Sequence, residues 1–301
     1  MSPLRIGLVL PMASGETEAL LALARHAEEI GFEGLFAFDH FFPPRAPSDR
    51  PSLEAYATLA AVAAVTTRVK IGTLVTRASL RPAGLVAKQA AALDDISGGR
   101  FVLGIGTGDE ASQAEHEVFG LPYLGKEARR AHLIETVRAL RALFAGEAWP
   151  GGQHVPAMEG PLLPPARQGG PPIWIGGESE SVARIAAREA QGWNGWGLDE
   201  ETFAARVGLV RAGADGRPVE PTWAGPVVVG HDAAEVDRIV AARRERGSMQ
   251  EAFAGDLAAA AGWLERLAEA GATWAILLVL GGTERIDLIG EELFPRLAAR
   301  A

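Results

Sequence analysis

The residues of this chain best suited to chemistry are polar side chains that directly follow short apolar runs. Asp39 and His40 come after the run 34–38, and Asp109 ends a glycine-rich turn after the run 101–105. An imidazole with an ordinary pKa of about 6.5 gives or takes a proton near neutral pH, and a nearby carboxylate can act as acid, base or orienting group. His40 and Asp109 therefore predict a site of proton transfer, although either residue could instead cap a helix or close a turn.

The turn before Asp109 predicts a loop that a ligand approaches closely. Its glycines are Gly104, Gly106 and Gly108. Without a Cβ, these residues would leave room for a flat or phosphorylated ligand against the backbone. A dinucleotide-binding Gly-x-Gly-x-x-Gly needs its third glycine where Asp109 stands, which disfavours that fingerprint. A tight strand-to-helix turn without chemistry is the alternative.

The elements that must position these residues alternate regularly along the chain. Apolar runs predict strands at 5–10, 34–38, 69–75, 101–105, 173–175, 193–196, 222–229 and 273–280, with amphipathic helices between them. Eight such units over about 250 to 300 residues favour a closed (β/α)8 TIM barrel, although a doubly wound open sheet would have a similar first half. We predict one α/β domain over residues 1–301, with its site at the carboxyl ends of the strands.

The longest irregular stretch, residues 146–172, precedes the fifth predicted strand. It is too rich in proline and glycine to form a continuous helix. We predict that it crosses the mouth of the barrel, where it would serve either as a lid or as a passive connector packed over the helices.

Composition narrows the class of function. The formal net charge of −9 argues against a general nucleic-acid binder, and no apolar run reaches the roughly 18 residues that cross a bilayer. The first residues lack the charge order and cleavage site of a signal peptide, so we expect a cytoplasmic protein that acts on a small molecule. The chain has no cysteine, so redox chemistry would have to come from a bound cofactor. The histidines show no metal-binding spacing, and we predict no metal site.

Five segments resemble the luciferase-like superfamily of barrel oxidoreductases, which use a flavin or the deazaflavin coenzyme F420. They are Phe-Asp-His-Phe at 38–41, Ile-Gly-Thr-Leu-Val-Thr at 71–76, the run from Asp95 to Gly108, Phe-Gly-Leu-Pro at 119–122, and Pro-Pro-Ile-Trp-Ile-Gly-Gly at 171–177. The third and fifth segments are the most specific.

The resemblance implies a role for each matching residue in the F420-dependent branch. His40 and Asp109 match the positions that flank the reactive edge of the deazaflavin ring, and Asp39 matches a residue that contacts the ring. The enzyme would transfer a hydride between C5 of the deazaflavin and a small organic substrate. An FMN-dependent monooxygenase and a non-catalytic cofactor-binding protein are the alternatives. The presence of both His40 and Asp109 disfavours the last of these.

The rest of the implied cofactor site is carried by backbone turns. The bulge formed by Thr73, Leu74 and Val75 matches a segment on which the ring stacks, and it implies a cis peptide at Leu74–Val75. Gly176 and Gly177 match a turn whose N–H groups hold the cofactor phosphate. The remaining predicted cofactor contacts are Thr107 and Gly108. We also expect a homodimer.

Three departures from the family pattern stand out. Asp109 is shorter by one methylene than a glutamate, which would shift its reach to the substrate. Glu178 directly follows the glycine pair, and its carboxylate would repel a phosphate unless the side chain turns outward or the phosphate sits lower. The run at 41–44 is Phe-Phe-Pro-Pro, where some relatives have a tryptophan beside the ring. We therefore expect substrate recognition to differ from theirs.

Overall fold

Eight parallel strand positions close into a barrel with the helices outside it. The computed structural model describes residues 4–13, 16–42, 51–247 and 251–299. Its strands are β1 (Arg5–Val9), β2 (Gly34–Ala37), β3 (Lys70–Thr73), β4 (Thr76–Arg77), β5 (Phe101–Gly106), β6 (Ile173–Gly176), β7 (Gly192–Trp196), β8 (Glu220–Gly230), β9 (Phe253–Asp256) and β10 (Trp274–Val279). The ring runs β1, β2, β3, β5, β6, β7, β8, β10 and back to β1, and β4 continues the third position beside β5. The predicted (β/α)8 barrel is confirmed.

The helices follow the strands and cover the outside of the barrel. They are α1 (Thr17–Glu29), α2 (Ala55–Val65), α3 (Ala83–Ile96), α4 (Gln113–Val118), α5 (Lys126–Phe144), α6 (Glu180–Glu189), α7 (Glu200–Gly213), α8 (Ala233–Glu245), α9 (Leu257–Glu269), α10 (Glu284–Leu288) and α11 (Phe294–Ala298). Short 3-10 turns lie at Glu110–Ser112 and Arg167–Gly169, and a π turn at Ile289–Leu293. Among the described helices, none is long and apolar enough to cross a membrane.

Aromatic rings fill the interior of the barrel. The ring centroids of Phe36 and Trp174 lie 5.9 Å apart, and Trp274 lies 6.1 Å from Trp174. The neighbouring strands β1 and β3 carry glycine where the Phe36 ring passes, since a Cβ on Gly7 or on Gly72 would lie 2.9 Å from the ring. The interior is therefore a packed plug, and a ligand must bind above it.

All eight predicted strands belong to the barrel, with two differences from the sequence-based prediction. The predicted strand 69–75 is interrupted, because Leu74 and Val75 bulge between β3 and β4. The short strand β9 was not predicted. It pairs with the last residues of β8, beyond the part of β8 that pairs with β7, and its sequence Phe-Ala-Gly-Asp has too little apolar content to indicate a strand.

The prediction that residues 146–172 cross the mouth of the barrel is wrong. The segment packs on the outer helices, where Met158 and Trp149 lie against Ala83 of α3 and Ala139 of α5. The carboxylate of Glu135 on α5 also accepts hydrogen bonds from the N–H groups of residues 153, 154 and 155 at 2.7 to 3.0 Å. Burial alone would raise the pKa of Glu135, but these donors outweigh it and lower the pKa. The segment is a connector that is held against the outer helices α3 and α5.

The arginine of the motif Ile-Ser-Gly-Gly-Arg is a structural tie at the amino end of the strands. Arg100 donates to the carbonyl oxygens of Ala63, Thr66, Val69 and Ser97, and to the Thr66 hydroxyl, at 2.7 to 3.1 Å. It thereby joins the end of α2 and the start of β3 to β5. The motif fixes the amino end of β5, and the glycine-rich loop follows the carboxyl end of the same strand.

Replacing Arg100 with lysine should destabilise the barrel, because a lysine keeps the charge but cannot reach these acceptors with one ammonium group. We expect the free energy of unfolding to fall by about 2–3 kcal/mol, measured by urea denaturation. The matched control is Arg184→Lys, at an exposed arginine of α6. An Arg100→Lys variant as stable as the control would contradict this assignment.

Candidate active site

A large cavity opens at the carboxyl ends of the strands. Its volume is about 960 Å³, within the range of sites that bind a cofactor with a substrate. The apolar part of its wall is formed by Phe38, Leu74, Val75, Val182, Trp196 and Leu198. The rings of Phe38 and Trp196 meet edge to face at 5.3 Å. The cavity thus has an apolar wall suited to a flat ring system.

The bulge after β3 is wedged between two glycines. The Leu74–Val75 peptide bond is cis, which confirms the sequence-based prediction. A Cβ on Gly106 or on Gly176 would lie 2.7 Å from a methyl group of Val75, so both positions must be glycine for the valine to fit. The bulge presents Leu74 and Val75 to the cavity.

Two of the three loop glycines have a different role from the predicted one. A Cβ on Gly104 would lie 2.0 Å from the carbonyl oxygen of Thr73, and Gly106 admits Val75. Both make room for the chain's own backbone and side chains, whereas the prediction assigned that room to a ligand. Gly106 and Gly108, the latter with φ +69°, nevertheless line the cavity beside Thr107.

The imidazole of His40 is held by a buried carboxylate. Its Nδ1 lies 2.7 Å from Oε1 of Glu115, a residue of α4 that is 2 % exposed. The other oxygen, Oε2, accepts from the N–H of Phe41 and from Nη2 of Arg77, both at 2.6 Å. Burial alone would raise the pKa of Glu115, but His40, Arg77 and the Phe41 N–H outweigh it and lower the pKa. Glu115 is therefore ionised at neutral pH.

A second buried ion pair lies beneath this cluster. Arg81 donates to both carboxylate oxygens of Asp39, at 2.5 and 2.8 Å, and to Glu54 at 2.7 Å. Its guanidinium also lies 5.1 Å from the ring centre of Tyr56. Asp39 is 3 % exposed and is not among the residues that line the cavity, so its contact with a cofactor ring stays a prediction. The pair orients the loop that carries His40.

Asp109 lies at the edge of the cavity and caps a short helical turn. Its Oδ1 accepts from the N–H of Ser112 at 2.9 Å, and its own N–H donates to the Ser112 hydroxyl at 3.2 Å. Glu178 lines the same cavity. Burial raises the pKa of Glu178, and the negative charge of Asp109 raises it further. The two carboxylates thus share one side of the opening.

Basic side chains line another part of the opening. They are Lys126, Arg129 and Arg130 of α5 and Arg206 of α7. In the part of the chain that the structure describes, Nε of Arg129 is buried without a hydrogen-bond partner. Arg206 is anchored by a 3.0 Å bond from its Nε to the carbonyl oxygen of Glu178. This arrangement suits an anionic group that enters from solvent.

The glycine turn after β6 differs from the predicted phosphate cradle. The N–H of Gly177 donates to the carbonyl oxygen of Asn194 at 3.0 Å, so it is already used within the barrel. Gly176 belongs to β6 and admits Val75. Both glycines still line the cavity, and Ser179 beside them caps α6. An anion at this turn would meet the hydroxyl of Ser179 and the start of α6.

The structure brings most of the sequence-predicted site residues to one cavity. Those that line it are His40, Leu74, Val75, Thr107, Gly108, Asp109, Gly176 and Gly177. Thr73 does not, because it is fully buried and its hydroxyl donates to the carbonyl oxygen of Gly104 at 2.7 Å. Asp39 is the other exception. Across residues 4–13, 16–42, 51–247 and 251–299, no cluster of three or more histidine, aspartate or glutamate side chains could hold a metal ion.

Sequence reasoning missed Glu115. Nothing in the local pattern separates it from Glu110 and Glu117 on either side, and only the helical turn of α4 directs it inward while Glu117 stays exposed. Arg77, which contacts Glu115 and the carbonyl oxygen of Asp39, was likewise not predicted to belong to the site.

Known proteins resemble this chain in sequence and in fold. An F420-dependent hydroxymycolic acid dehydrogenase of Mycobacterium tuberculosis is 31% identical over 243 residues, which are 76% of this chain and 64% of that protein. An F420-dependent secondary alcohol dehydrogenase in complex with an F420-acetone adduct has a TM-score of 0.86 at 19% identity, covering 98% of this chain and 99% of that one. A long-chain alkane monooxygenase has a TM-score of 0.80 at 16% identity, covering 100% and 92%.

The family profile described as luciferase-like monooxygenase matches residues 5–291, nearly the whole chain. The chain belongs to the luciferase-like monooxygenase family.

Proposed function

We propose that this chain is an oxidoreductase that uses F420 and moves a hydride between C5 of the deazaflavin and a small alcohol or carbonyl compound. The observation that carries the proposal is the imidazole of His40, fixed by Glu115 at the wall of a cavity of about 960 Å³. The similarity to an F420-dependent dehydrogenase at 31% identity supports the cofactor and the reaction class.

The residues of the cavity fit a deazaflavin with an acidic tail. A flat tricyclic ring suits the apolar wall that includes Leu74, Val75 and Trp196. The tail suits the basic side chains Lys126 and Arg130 of α5 and Arg206 of α7, which line the opening of the cavity. Ser179 at the start of α6 adds a hydroxyl donor.

The bound coenzyme would supply the hydride chemistry, which no side chain of this cysteine-free chain can supply. His40 would accept the hydroxyl proton of an alcohol at Nε2 during oxidation, and return it during reduction of a carbonyl. Glu115 and Arg77 hold the imidazole in place, and the apolar wall excludes water from the reacting atoms. Asp109 would be the second group that handles a proton.

An FMN-dependent monooxygenase is the alternative, supported by the family and by the overlay on a long-chain alkane monooxygenase. The four basic side chains at the opening favour F420, because they extend the anion-binding surface beyond the single phosphate of FMN.

The apo protein should therefore bind F420 at least about tenfold more tightly than FMN, measured by fluorescence titration of each. The difference should shrink in Lys126→Gln, because that side chain would meet the acidic tail and not the ring. Tight FMN binding without measurable F420 binding would overturn the cofactor assignment.

Replacing His40 with alanine should slow turnover by about 10²–10⁴-fold while changing F420 affinity little, because the imidazole serves the proton step and the wall holds the ring. Single-turnover absorbance changes of F420 measure the rate, and fluorescence titration measures the affinity. A collapsed affinity with an intact rate would make His40 a binding residue.

The negative charges of Asp109 and Glu178 can be removed one at a time at the same opening of the cavity. Asp109→Asn keeps a good helix cap and should lower kcat, whereas Glu178→Gln should mainly tighten F420 binding by removing a repulsive charge. Because the pKa of Glu178 is raised, its carboxylate becomes neutral as the pH falls, so this tightening should be larger near about pH 8 than near about pH 5. Unchanged kcat in Asp109→Asn across this range would leave Asp109 as a cap.

A further inference from the structure

Three groups contact the carboxylate of Glu115, and their chemistry determines which nitrogen of His40 carries a hydrogen. The N–H of Phe41 and the guanidinium of Arg77 can only donate, and both point to Oε2. An ionised carboxylate can only accept. The contact between Oε1 and Nδ1 of His40 therefore requires a hydrogen on Nδ1.

A neutral imidazole carries one ring hydrogen. If that hydrogen is on Nδ1, then Nε2 presents a lone pair, and Nε2 is the ring nitrogen left to a molecule in the cavity. We propose that Glu115 is a positioning residue that holds neutral His40 in its Nδ1–H form, so that the imidazole meets a bound substrate as a proton acceptor. The catalytic consequence rests on the proposed function, whereas the proton position does not.

The other charged groups around the imidazole leave this assignment intact. Arg77 is engaged by Glu115 and by the carbonyl oxygen of Asp39, and Arg81 is engaged by the Asp39 carboxylate. Asp109 lies on the cavity side and its Oδ1 accepts from Ser112. Of these carboxylates, Glu115 is the one that contacts Nδ1 of His40.

The variant Glu115→Gln should invert the arrangement. A glutamine has one side-chain oxygen, and the Phe41 N–H and Arg77 both require an acceptor at the Oε2 position. The oxygen therefore stays there and the NH2 group points at Nδ1 of His40. Nδ1 must then accept, which moves the hydrogen of neutral His40 to Nε2 and turns the cavity face of the ring into a donor.

Nitrogen NMR of the apo protein tests this directly. With ¹⁵N-labelled histidine, at a pH where the imidazole is neutral, the wild type should show a protonated Nδ1 and an unprotonated Nε2 for His40. Glu115→Gln should show the reverse, and the His40→Gln variant assigns the signals. The control Glu117→Gln, on the same helix but exposed, should keep the wild-type pattern. A wild-type His40 protonated at Nε2 would overturn the proposal without reference to any variant.

Kinetics test the catalytic consequence separately. With F420 and an alcohol substrate, Glu115→Gln should lower kcat for oxidation by at least about 10²-fold, as expected when a base is held in the wrong tautomer, with F420 affinity within about twofold of wild type. An inverted tautomer with wild-type kcat would overturn the positioning role. A wild type that oxidises no alcohol with F420 would overturn the proposed function, while the NMR result would still decide the proton position.

Discussion

The carboxylate of Glu115 joins three separate parts of the chain at the wall of the cavity. It takes a hydrogen bond from His40 and the Phe41 N–H after β2, and an ion pair from Arg77 on β4, while its own helix follows the glycine-rich loop after β5. Removing one partner of such a buried pair typically costs about 3–5 kcal/mol, because the other charge remains in a dry site. The same contacts depress the pKa of Glu115, so the stability they contribute is present above the ordinary range of a glutamate and is lost as the pH falls through the lowered pKa.

Steric fit around the bulge is the second constraint on the site. Val75 enters the space left by Gly106 and Gly176, and the Thr73 carbonyl enters the space left by Gly104. Glycine at these positions thus serves the protein's own packing, and any side chain there would push the bulge into the cavity. The wall on which a ring would stack and the loop that carries Asp109 are consequently one packed unit, supported from below by the aromatic interior.

The sequence was sufficient for the barrel, because each apolar run lies on a strand and the strand ends gather the polar residues. The cis Leu74–Val75 bond followed from resemblance and not from spacing. Tertiary contacts decided the rest. Glu115 could not be distinguished from Glu117 until α4 was oriented, and the hydroxyl of Thr73 is taken by the backbone of Gly104. The N–H of Gly177 is used by the carbonyl oxygen of Asn194, and residues 146–172 are held on α5 and do not cross the mouth of the barrel.

The proposed function requires that one cavity hold a deazaflavin beside a fixed imidazole. A crystal structure of the protein with F420 tests it most directly. We expect electron density for the tricyclic ring against Leu74 and Val75, with the acidic tail near Lys126 and Arg206, and with the contact between His40 and Glu115 retained. F420 bound elsewhere, or His40 turned away from Glu115 in the complex, would contradict it.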